Sequence, residues 1–195
     1  MKLVVATKNA DKLKEMQRIL IPLGIEAISE NELDFQLPDV LEDGATFEEN
    51  ALIKARSATR ATGMPAVADD SGLCVDALGG QPGIYTARYA GEPSNSQKNN
   101  EKLLYEMRNV AKEDRTARFV SAVACTFPDG REFCVRGECE GHIAFELSGD
   151  GGFGYDPLFV CELGCFAEIT PKQKDSVSHR GKAMEIFSEE IKKYI

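Results

Sequence analysis

The sequence predicts an α/β or α+β protein built on a mixed, twisted sheet flanked by helices, in two lobes with a cleft between them. The chain opens with a short β-branched run, KLVVAT, that passes at once into a segment with apolar residues at helical spacing. Two alternating segments, TARFVSAVACTF and REFCVRGECEG, flank the turn sequence PDG and predict a hairpin in the middle of the chain. Helices that follow strands, combined with a hairpin, are typical of a mixed sheet.

The first helix follows the opening strand at 2–7. In NADKLKEMQRIL the apolar residues Leu13, Met16 and Leu20 fall on one helical face, and Pro22 ends the pattern. Residues 25–44 then predict a second short strand and an acidic loop, LPDVLEDG.

A second helix is predicted in TFEENALIKARSATRATG. Thr46 with Glu49 three residues later forms a capping-box pattern, and Gly63 suits the C-terminal cap. Asn50 and Lys54 are four residues apart, so they share one face of this helix.

The remaining elements follow in order along the chain. A strand at 65–69 is predicted to end at a pair of aspartates, and the Gly- and Pro-rich stretch after it predicts an ordered loop with one helical turn. NSQKNNEKLLYEMRNV predicts a helix, and GGFGYDPLFV a Gly-rich loop that enters another strand. The last helix is predicted to be capped by Ser178, with an apolar stripe of Met184, Phe187, Ile191 and Tyr194.

Charge and hydropathy limit the partners that the chain can have. The 195 residues carry a net charge of −9, which argues against a long nucleic acid, because phosphate neutralisation needs a basic surface. A small anionic ligand remains compatible if it brings cations or meets local lysines and arginines. No stretch approaches the roughly 20 apolar residues of a membrane span, and none at the N-terminus resembles a signal peptide, so we expect a cytoplasmic protein.

The six cysteines allow two interpretations. CVRGEC and CELGC could supply two pairs of zinc ligands, but their spacings lack the C-x-x-C knuckle. The alternative is six reduced cysteines, several of them packed as small apolar residues.

The first strand-to-helix loop is a candidate phosphate site. A helix N-terminus favours anions, and here Lys8 and Lys12 add full charges while Thr7 and Asn9 add short polar side chains. The glycine spacings of the Walker and dinucleotide-binding loops are absent. A plain polar turn with solvated lysines is the alternative.

The adjacent carboxylates of Asp69 and Asp70 are a candidate metal and acid–base site. Mg²⁺ takes oxygen ligands, often one or two carboxylates plus substrate phosphates, and a neighbouring carboxylate can accept a proton from water. The alternative is that one aspartate caps a turn and the other is solvated. Glu42 and Asp43 precede the second helix; metal contact by Glu42 is one interpretation, and solvation the other.

Two later motifs could bind an acceptor-rich heterocycle. GGFGYDP offers close backbone approach at its glycines, two aromatic faces and the carboxylate of Asp156, although it could also be a structural turn with core aromatics. KDSVSHRGKA clusters the donors Lys174, His179 and Arg180 near the last helix, although a histidine there could be purely structural.

Taken in order, these motifs resemble the inosine triphosphate pyrophosphatase family. The resemblance rests on ATKNADK, TFEENALIKA, ADDSGLCVDALGGQPGIYTARYAG, GGFGYDPLF and SHRGKA, and it covers the whole chain as one domain, 1–195. It implies hydrolysis of XTP, ITP and dITP to the monophosphate and pyrophosphate, dependence on Mg²⁺, a homodimer, and a two-lobed mixed sheet with the active site in the cleft.

The resemblance also implies roles for individual residues. Asp70 would be the proton acceptor and a metal ligand, with Glu42 and Asp69 as further metal ligands. The implied substrate contacts are Thr7, Lys8, Asn9, Ala10, Asp11 and Lys12 toward phosphate, then Lys54 and Ser71, then Phe153, Gly154, Tyr155 and Asp156 in the nucleotide pocket, and Lys174, His179 and Arg180 on the nucleotide, the last two near the purine 6-position.

Two other functions compete with this one. The first is a pyrophosphatase for other nucleotides, such as dTTP or UTP. The second is a regulatory module that binds a nucleotide without catalysis, which leaves the two aspartates beside a polyanion unexplained unless a metal intervenes.

Overall fold

The sheet has seven strands within residues 1–194, the part of the chain that the computed structural model describes. The strand order is β2-β1-β3-β4-β5-β6-β7. The strands are β1 Lys2–Val5, β2 Glu26–Ser29, β3 Ala66–Val75, β4 Thr116–Thr126, β5 Glu132–Ile143, β6 Phe159–Cys161 and β7 Gly164–Cys165. β1 runs parallel to β2 and β3, whereas β6 is antiparallel to both β5 and β7, so the predicted mixed sheet is confirmed.

Five α-helices lie within the described residues. They are α1 Ala10–Leu20, α2 Phe47–Thr62, α3 Ser96–Glu106, α4 Pro171–Val177 and α5 His179–Glu190. The short α4 was missed in the sequence, and its Thr170 cap receives the backbone N–H of Gln173. Half of the expected capping box on α2 is present. Thr46 Oγ1 accepts the N–H of Glu49, but the Glu49 carboxylate accepts from Ala45.

The chain divides into two compact units, each with its own core. The first unit comprises residues 1–70, 121–137 and the chain from Arg180 on; the second comprises Ser71–Val120 and Glu138–His179. The first core packs residues of β1, α1, β3, β4 and α5, among them Leu3, Met16, Val67, Val123 and Phe187. The second core is richer in aromatic side chains, among them Phe119, Tyr155, Phe159 and Phe166.

The strand that carries the two aspartates is longer than predicted. We expected it to end at Asp69 and Asp70, but β3 continues to Val75. Leu73 and Val75 are completely buried in the second core, which favours extended backbone beyond the acids and overrides the turn tendency of the Ser–Gly pair. The aspartates therefore lie inside a strand, where successive side chains point to opposite faces of the sheet.

Candidate active site

The loop before α1 is held by its own polar side chains. Asn9 caps the helix, because its Oδ1 accepts the N–H groups of Asp11 and Lys12 at 2.9 and 3.1 Å. Thr7 Oγ1 accepts the N–H of Asn9. Residues 8–11 are exposed, and Lys8 pairs with Asp39 of the acidic loop. The predicted phosphate loop is thus accessible, but two of its helix N–H groups are already used.

Asp69 lies in a buried chain of charges. Its Oδ2 pairs with Lys12 Nζ at 3.0 Å and accepts from Arg180 Nε and Nη2, both at 3.3 Å. Arg180 also pairs with Glu15 of α1. Burial alone would raise the pKa of Asp69, but Lys12 and Arg180 together hold it well below its usual range, so the carboxylate is charged.

Lys12 and Arg180 respond differently to this burial. Removal from water lowers the pKa of Lys12, and the attraction of Asp69 offsets only part of the change. For Arg180 the same removal from water is outweighed by Asp69 and Glu15, which raise the pKa of the guanidinium. Both cations form ion pairs with Asp69, and these ion pairs stabilise this part of the first unit.

Asp70 faces a different set of groups on α2. Asn50 Nδ2 donates to Asp70 Oδ2 at 3.1 Å, and Lys54 Nζ lies 3.3 Å from Asp70 Oδ1. Lys54 also donates to Glu42 Oε2 at 2.8 Å, so two carboxylates converge on one ammonium. Burial raises the pKa of Asp70 despite the opposing charge of Lys54. A carboxyl with a raised pKa is better suited to accept a proton than one held low by paired cations.

The alternation of β3 explains why two adjacent acids differ. Asp69 shares its face of the strand with Val67 and meets α1 and α5, whereas Asp70 meets α2. The structure therefore brings Asp70 and Glu42 together but leaves Asp69 with its cations. Within residues 1–194 no group of three or more His, Cys, Asp or Glu side chains could hold a metal ion. All six cysteines, which lie within the described residues, are thiols and form no disulfide.

In the second unit, the Gly-rich loop folds around Asp156. Asp156 Oδ2 accepts from the N–H of Phe153 and from Lys174 Nζ, both at 2.7 Å. Lys174 Nζ also lies 4.7 Å from the centre of the Phe153 ring. A Cβ added at Gly152, whose φ is +70°, would overlap the Asp156 carboxylate. The Asp156–Lys174 ion pair therefore shapes this loop from inside.

The rest of this loop is fixed by contacts with other elements. Tyr155 is buried and donates its hydroxyl to Thr86 O at 2.8 Å, and Asn100 Nδ2 of α3 donates to Gly154 O at 3.0 Å. Since the Tyr155 ring is in the core, Phe153 is the aromatic side chain of this motif that remains half-exposed. Only one of the two predicted aromatic faces is available to a ligand.

The two remaining predicted contacts, His179 and Ser71, belong to the second unit. The His179 ring stacks on Phe119, with ring centres 4.7 Å apart and an angle of 13° between the planes. Stacking fixes the orientation of the imidazole. Ser71 lies half-buried in β3, directly after Asp70.

A comparison with known protein families identifies the family to which the chain belongs. A family model described as "Ham1 family" matches residues 3–190. The chain belongs to the Ham1 family. This agrees with the resemblance found in the sequence motifs.

Relatives and solved structures of this family match almost the whole chain. A protein of Haemophilus influenzae named dITP/XTP pyrophosphatase is 48% identical over 194 residues, covering 97% of this chain and 98% of its own. One of the same name from Nocardia farcinica is 50% identical, covering 94% and 91%. The structure of a HAM1 protein from Coxiella burnetii has a TM-score of 0.88 and 39% identity, covering 99% of both chains. The predicted mixed sheet flanked by helices is thereby confirmed.

Four side chains of this Ham1-family site were given no role in the sequence analysis. Asn50 contacts Asp70, Glu15 holds Arg180, Asn100 holds Gly154, and Phe119 orients His179. The helical face that Asn50 shares with Lys54 was the one visible sign of Asn50. The partners of Glu15 and Asn100 are 165 and 54 residues away, so no local pattern indicates them.

Among residues 1–194, no helix has the length and apolar character needed to cross a bilayer.

Proposed function

We propose that this chain hydrolyses XTP, ITP and dITP to the nucleoside monophosphate and pyrophosphate, which removes these non-standard purines from the nucleotide pool. The observation that carries the proposal is about 50% identity, over nearly the full chain, to relatives named dITP/XTP pyrophosphatase. The cluster of the buried Asp70 with the half-buried Lys54 and Glu42 supplies groups that such a hydrolysis needs.

The donor set of the first unit fits Mg²⁺. Asp70 and Glu42 already converge on one cationic group, the Lys54 ammonium, and hard oxygen ligands are those that Mg²⁺ prefers. Two carboxylates suffice for an ion that also binds substrate phosphates. We assign Asp70 and Glu42 as its ligands and keep Asp69, held by two cations, as a support for Lys12. When bound, Mg²⁺ would neutralise charge on the phosphate oxygens.

The lysines of the first unit bind the triphosphate in this proposal. Lys12 lies in the first turn of α1, directly after the exposed residues 8–11, and Lys54 adds a second ammonium beside Asp70. Phosphoryl transfer depends mainly on positioning and on cations placed where charge develops. Lys8 joins them when it leaves its surface pair with Asp39.

Asp70 orients and deprotonates the attacking water. Burial raises its pKa, although Lys54 opposes the shift, which makes it a better proton acceptor than an ordinary aspartate. Water then adds to phosphorus, the bond to pyrophosphate breaks, and the proton passes to the Asp70 carboxylate. Ser71, the next residue of β3, contacts the substrate.

The second unit recognises the purine. The half-exposed Phe153 ring and Gly154 contact the base, while Tyr155, Asp156 and Lys174 hold this loop in shape. His179 donates to the 6-oxo group of hypoxanthine or xanthine.

Adenine presents an amino donor at this position, and a buried donor left without an acceptor costs on the order of 1–3 kcal/mol. Arg180 contributes from a guanidinium that Asp69 and Glu15 fix in place. Discrimination between oxo and amino purines therefore depends on donors at these two positions.

Pyrophosphate release from a panel of nucleotides tests the function. ITP, XTP and dITP should be turned over with Mg²⁺ present, and ATP and GTP far more slowly. Preferred turnover of dTTP or UTP would favour a pyrophosphatase for other nucleotides instead. Tight ITP binding without any Mg²⁺-dependent turnover would show a regulatory module.

We further propose that residues 1–195 act as one domain, that the chain is a homodimer, and that it works in the cytoplasm. Family membership supports these three statements. Light scattering coupled to size-exclusion chromatography measures the mass in solution, and a monomer at micromolar concentration would contradict the dimer.

A further inference from the structure

The side-chain amide of Asn50 uses both of its ends. Only 2% of the residue is exposed, its Nδ2 donates to Asp70 Oδ2 at 3.1 Å, and its Oδ1 accepts the backbone N–H of Gly44 at 2.9 Å. If the amide were flipped, its oxygen would face the Asp70 carboxylate and its NH2 group would face the N–H of Gly44. Neither pair could form a hydrogen bond, so the two partners fix the orientation of the amide. The amide therefore links the strand that carries the catalytic carboxylate to the loop that contains Glu42.

The loop approaches Asn50 too closely for any side chain at position 44. A Cβ added to Gly44 would lie 2.7 Å from Asn50 Oδ1 and 2.7 Å from Glu49 Cβ. Gly44 is two residues from Glu42, so its bond to Asn50 controls where the Glu42 loop meets α2. Glycine at this position is required by the close approach of the backbone.

We propose, on the basis of the function proposed above, that Asn50 is a positioning residue that commits Asp70 Oδ2 to a neutral hydrogen bond. This leaves Oδ1 as the oxygen that acts on water and on the cation. The same amide keeps the Glu42 loop at a fixed distance from Asp70. Asn50 itself touches neither the substrate nor the metal.

Comparison with Lys54 shows what a neutral bridge adds. Lys54 links the same two partners, Glu42 and Asp70, but by charge. A cation that arrives with the substrate competes with the ammonium for both carboxylates, whereas the Asn50 amide keeps its two bonds. A side chain needed only to fill this face of α2 would be apolar like Ala51 and Ala55, since burying an amide is costly unless both ends are paired.

Three variants separate the two hydrogen bonds of Asn50, the one to Asp70 and the one from Gly44. Asn50→Asp retains an acceptor for Gly44 N–H but removes the donor to Asp70, Gly44→Ala disturbs the loop contact and retains the donor, and Asn50→Leu removes both. Asn95→Asp is the matched control, because it adds the same charge at the exposed cap of α3, where aspartate also caps well. Thermal unfolding establishes that each variant is folded.

Loss of the bond to Asp70 should lower kcat, whereas loss of the bond from Gly44 should weaken the response to Mg²⁺. Asn50→Asp should lower kcat for ITP by about 10- to 100-fold with KM within about threefold, because the base is misplaced in the ternary complex. Gly44→Ala should raise the Mg²⁺ concentration for half-maximal activity by up to about tenfold, the loss of one hydrogen bond, with kcat retained. Asn50→Leu should show both effects, and Asn95→Asp neither.

Mn²⁺ binding followed by electron paramagnetic resonance gives a readout without turnover. Weaker binding to folded Gly44→Ala and Asn50→Leu supports the proposal even if the wild type hydrolyses none of the nucleotides, a result that would overturn only the proposed function. Folded Asn50→Asp and Asn50→Leu with kcat within twofold of the wild type would overturn the positioning role. Unchanged Mn²⁺ binding in Gly44→Ala and Asn50→Leu would overturn the claim that Asn50 positions the Glu42 loop.

Discussion

Replacing Asp70 by asparagine tests the acid–base assignment with little change in shape. The carboxylate accepts from Asn50 and pairs with Lys54. An asparagine there has one acceptor oxygen, so one of these two donors loses its partner, which costs about 1–3 kcal/mol. Burial already disfavours the charged carboxylate, as its raised pKa shows, and removal of that charge offsets part of this cost. We therefore expect a folded protein.

Turnover should fall far more than stability. Loss of a general base costs about 100-fold or more, so kcat for ITP at saturating Mg²⁺ should drop at least about 100-fold. Pyrophosphate release measured against pH adds a second test. In the wild type kcat/KM should rise with pH through the raised pKa of Asp70, because only the ionised carboxylate accepts a proton, and this acidic limb should disappear in Asp70→Asn.

The control for this variant is Asp43→Asn at an exposed position, which removes a carboxylate from the acidic loop. It should leave kcat and kcat/KM for ITP unchanged. A folded Asp70→Asn protein with kcat within tenfold of the wild type, or with the acidic limb intact, would refute the assignment of Asp70 as base.

Three further outcomes follow from the buried charges and the Gly-rich loop. Asp69→Asn should destabilise the fold by about 3–5 kcal/mol in urea unfolding, because Arg180 and a buried lysine lose their shared carboxylate; a loss below 1 kcal/mol would contradict the buried ion chain. The folded pKa of Asp69 is lowered, so its contribution to stability is present above about pH 3.9, the value of an unfolded aspartate, and is lost as the pH falls below it; wild-type unfolding midpoints across pH 2–6 should show a loss that Asp69→Asn lacks. Gly152→Ala should raise KM for ITP by about tenfold or more, because its Cβ meets the Asp156 carboxylate that shapes the base-binding loop. Gly130→Ala, at a positive φ in open space, is the control, and equal KM values for the two would contradict this role.

The sequence predicted the elements better than the partners of their charged groups. The helix from Thr46 to Gly63 was predictable because its cap residues act locally, and Gly63 ends α2 with φ +66°. The pairing of Lys12 with Asp69, 57 positions apart, depends on how α1 packs on β3, which no periodicity reports. Tyr155 was expected to face a ligand and lies in the core instead, because its hydroxyl finds a buried carbonyl acceptor.

Two predicted nucleotide contacts have partners of their own within the protein. Asp156 and Lys174 were expected on the nucleotide, and in the structure they bind each other and the backbone of Phe153. Spacing alone cannot distinguish a carboxylate that contacts a ligand from one that shapes the loop beside it. Both roles depend on tertiary contacts, which the spacing of a motif does not report.

The continuation of β3 through both aspartates has a consequence for how this sequence can vary. Because the side chains alternate, a single residue inserted or deleted between Ala66 and Asp69 would turn each of the two acids to the opposite face of the sheet and leave one of the two sites without its carboxylate. An insertion would bring Ala68 beside the buried cations in place of Asp69, and a deletion would bring Ser71 opposite α2 in place of Asp70. A length change in this strand therefore removes one carboxylate from its place without replacing either aspartate, so the spacing from the start of β3 to the aspartates should be fixed among active members of the family.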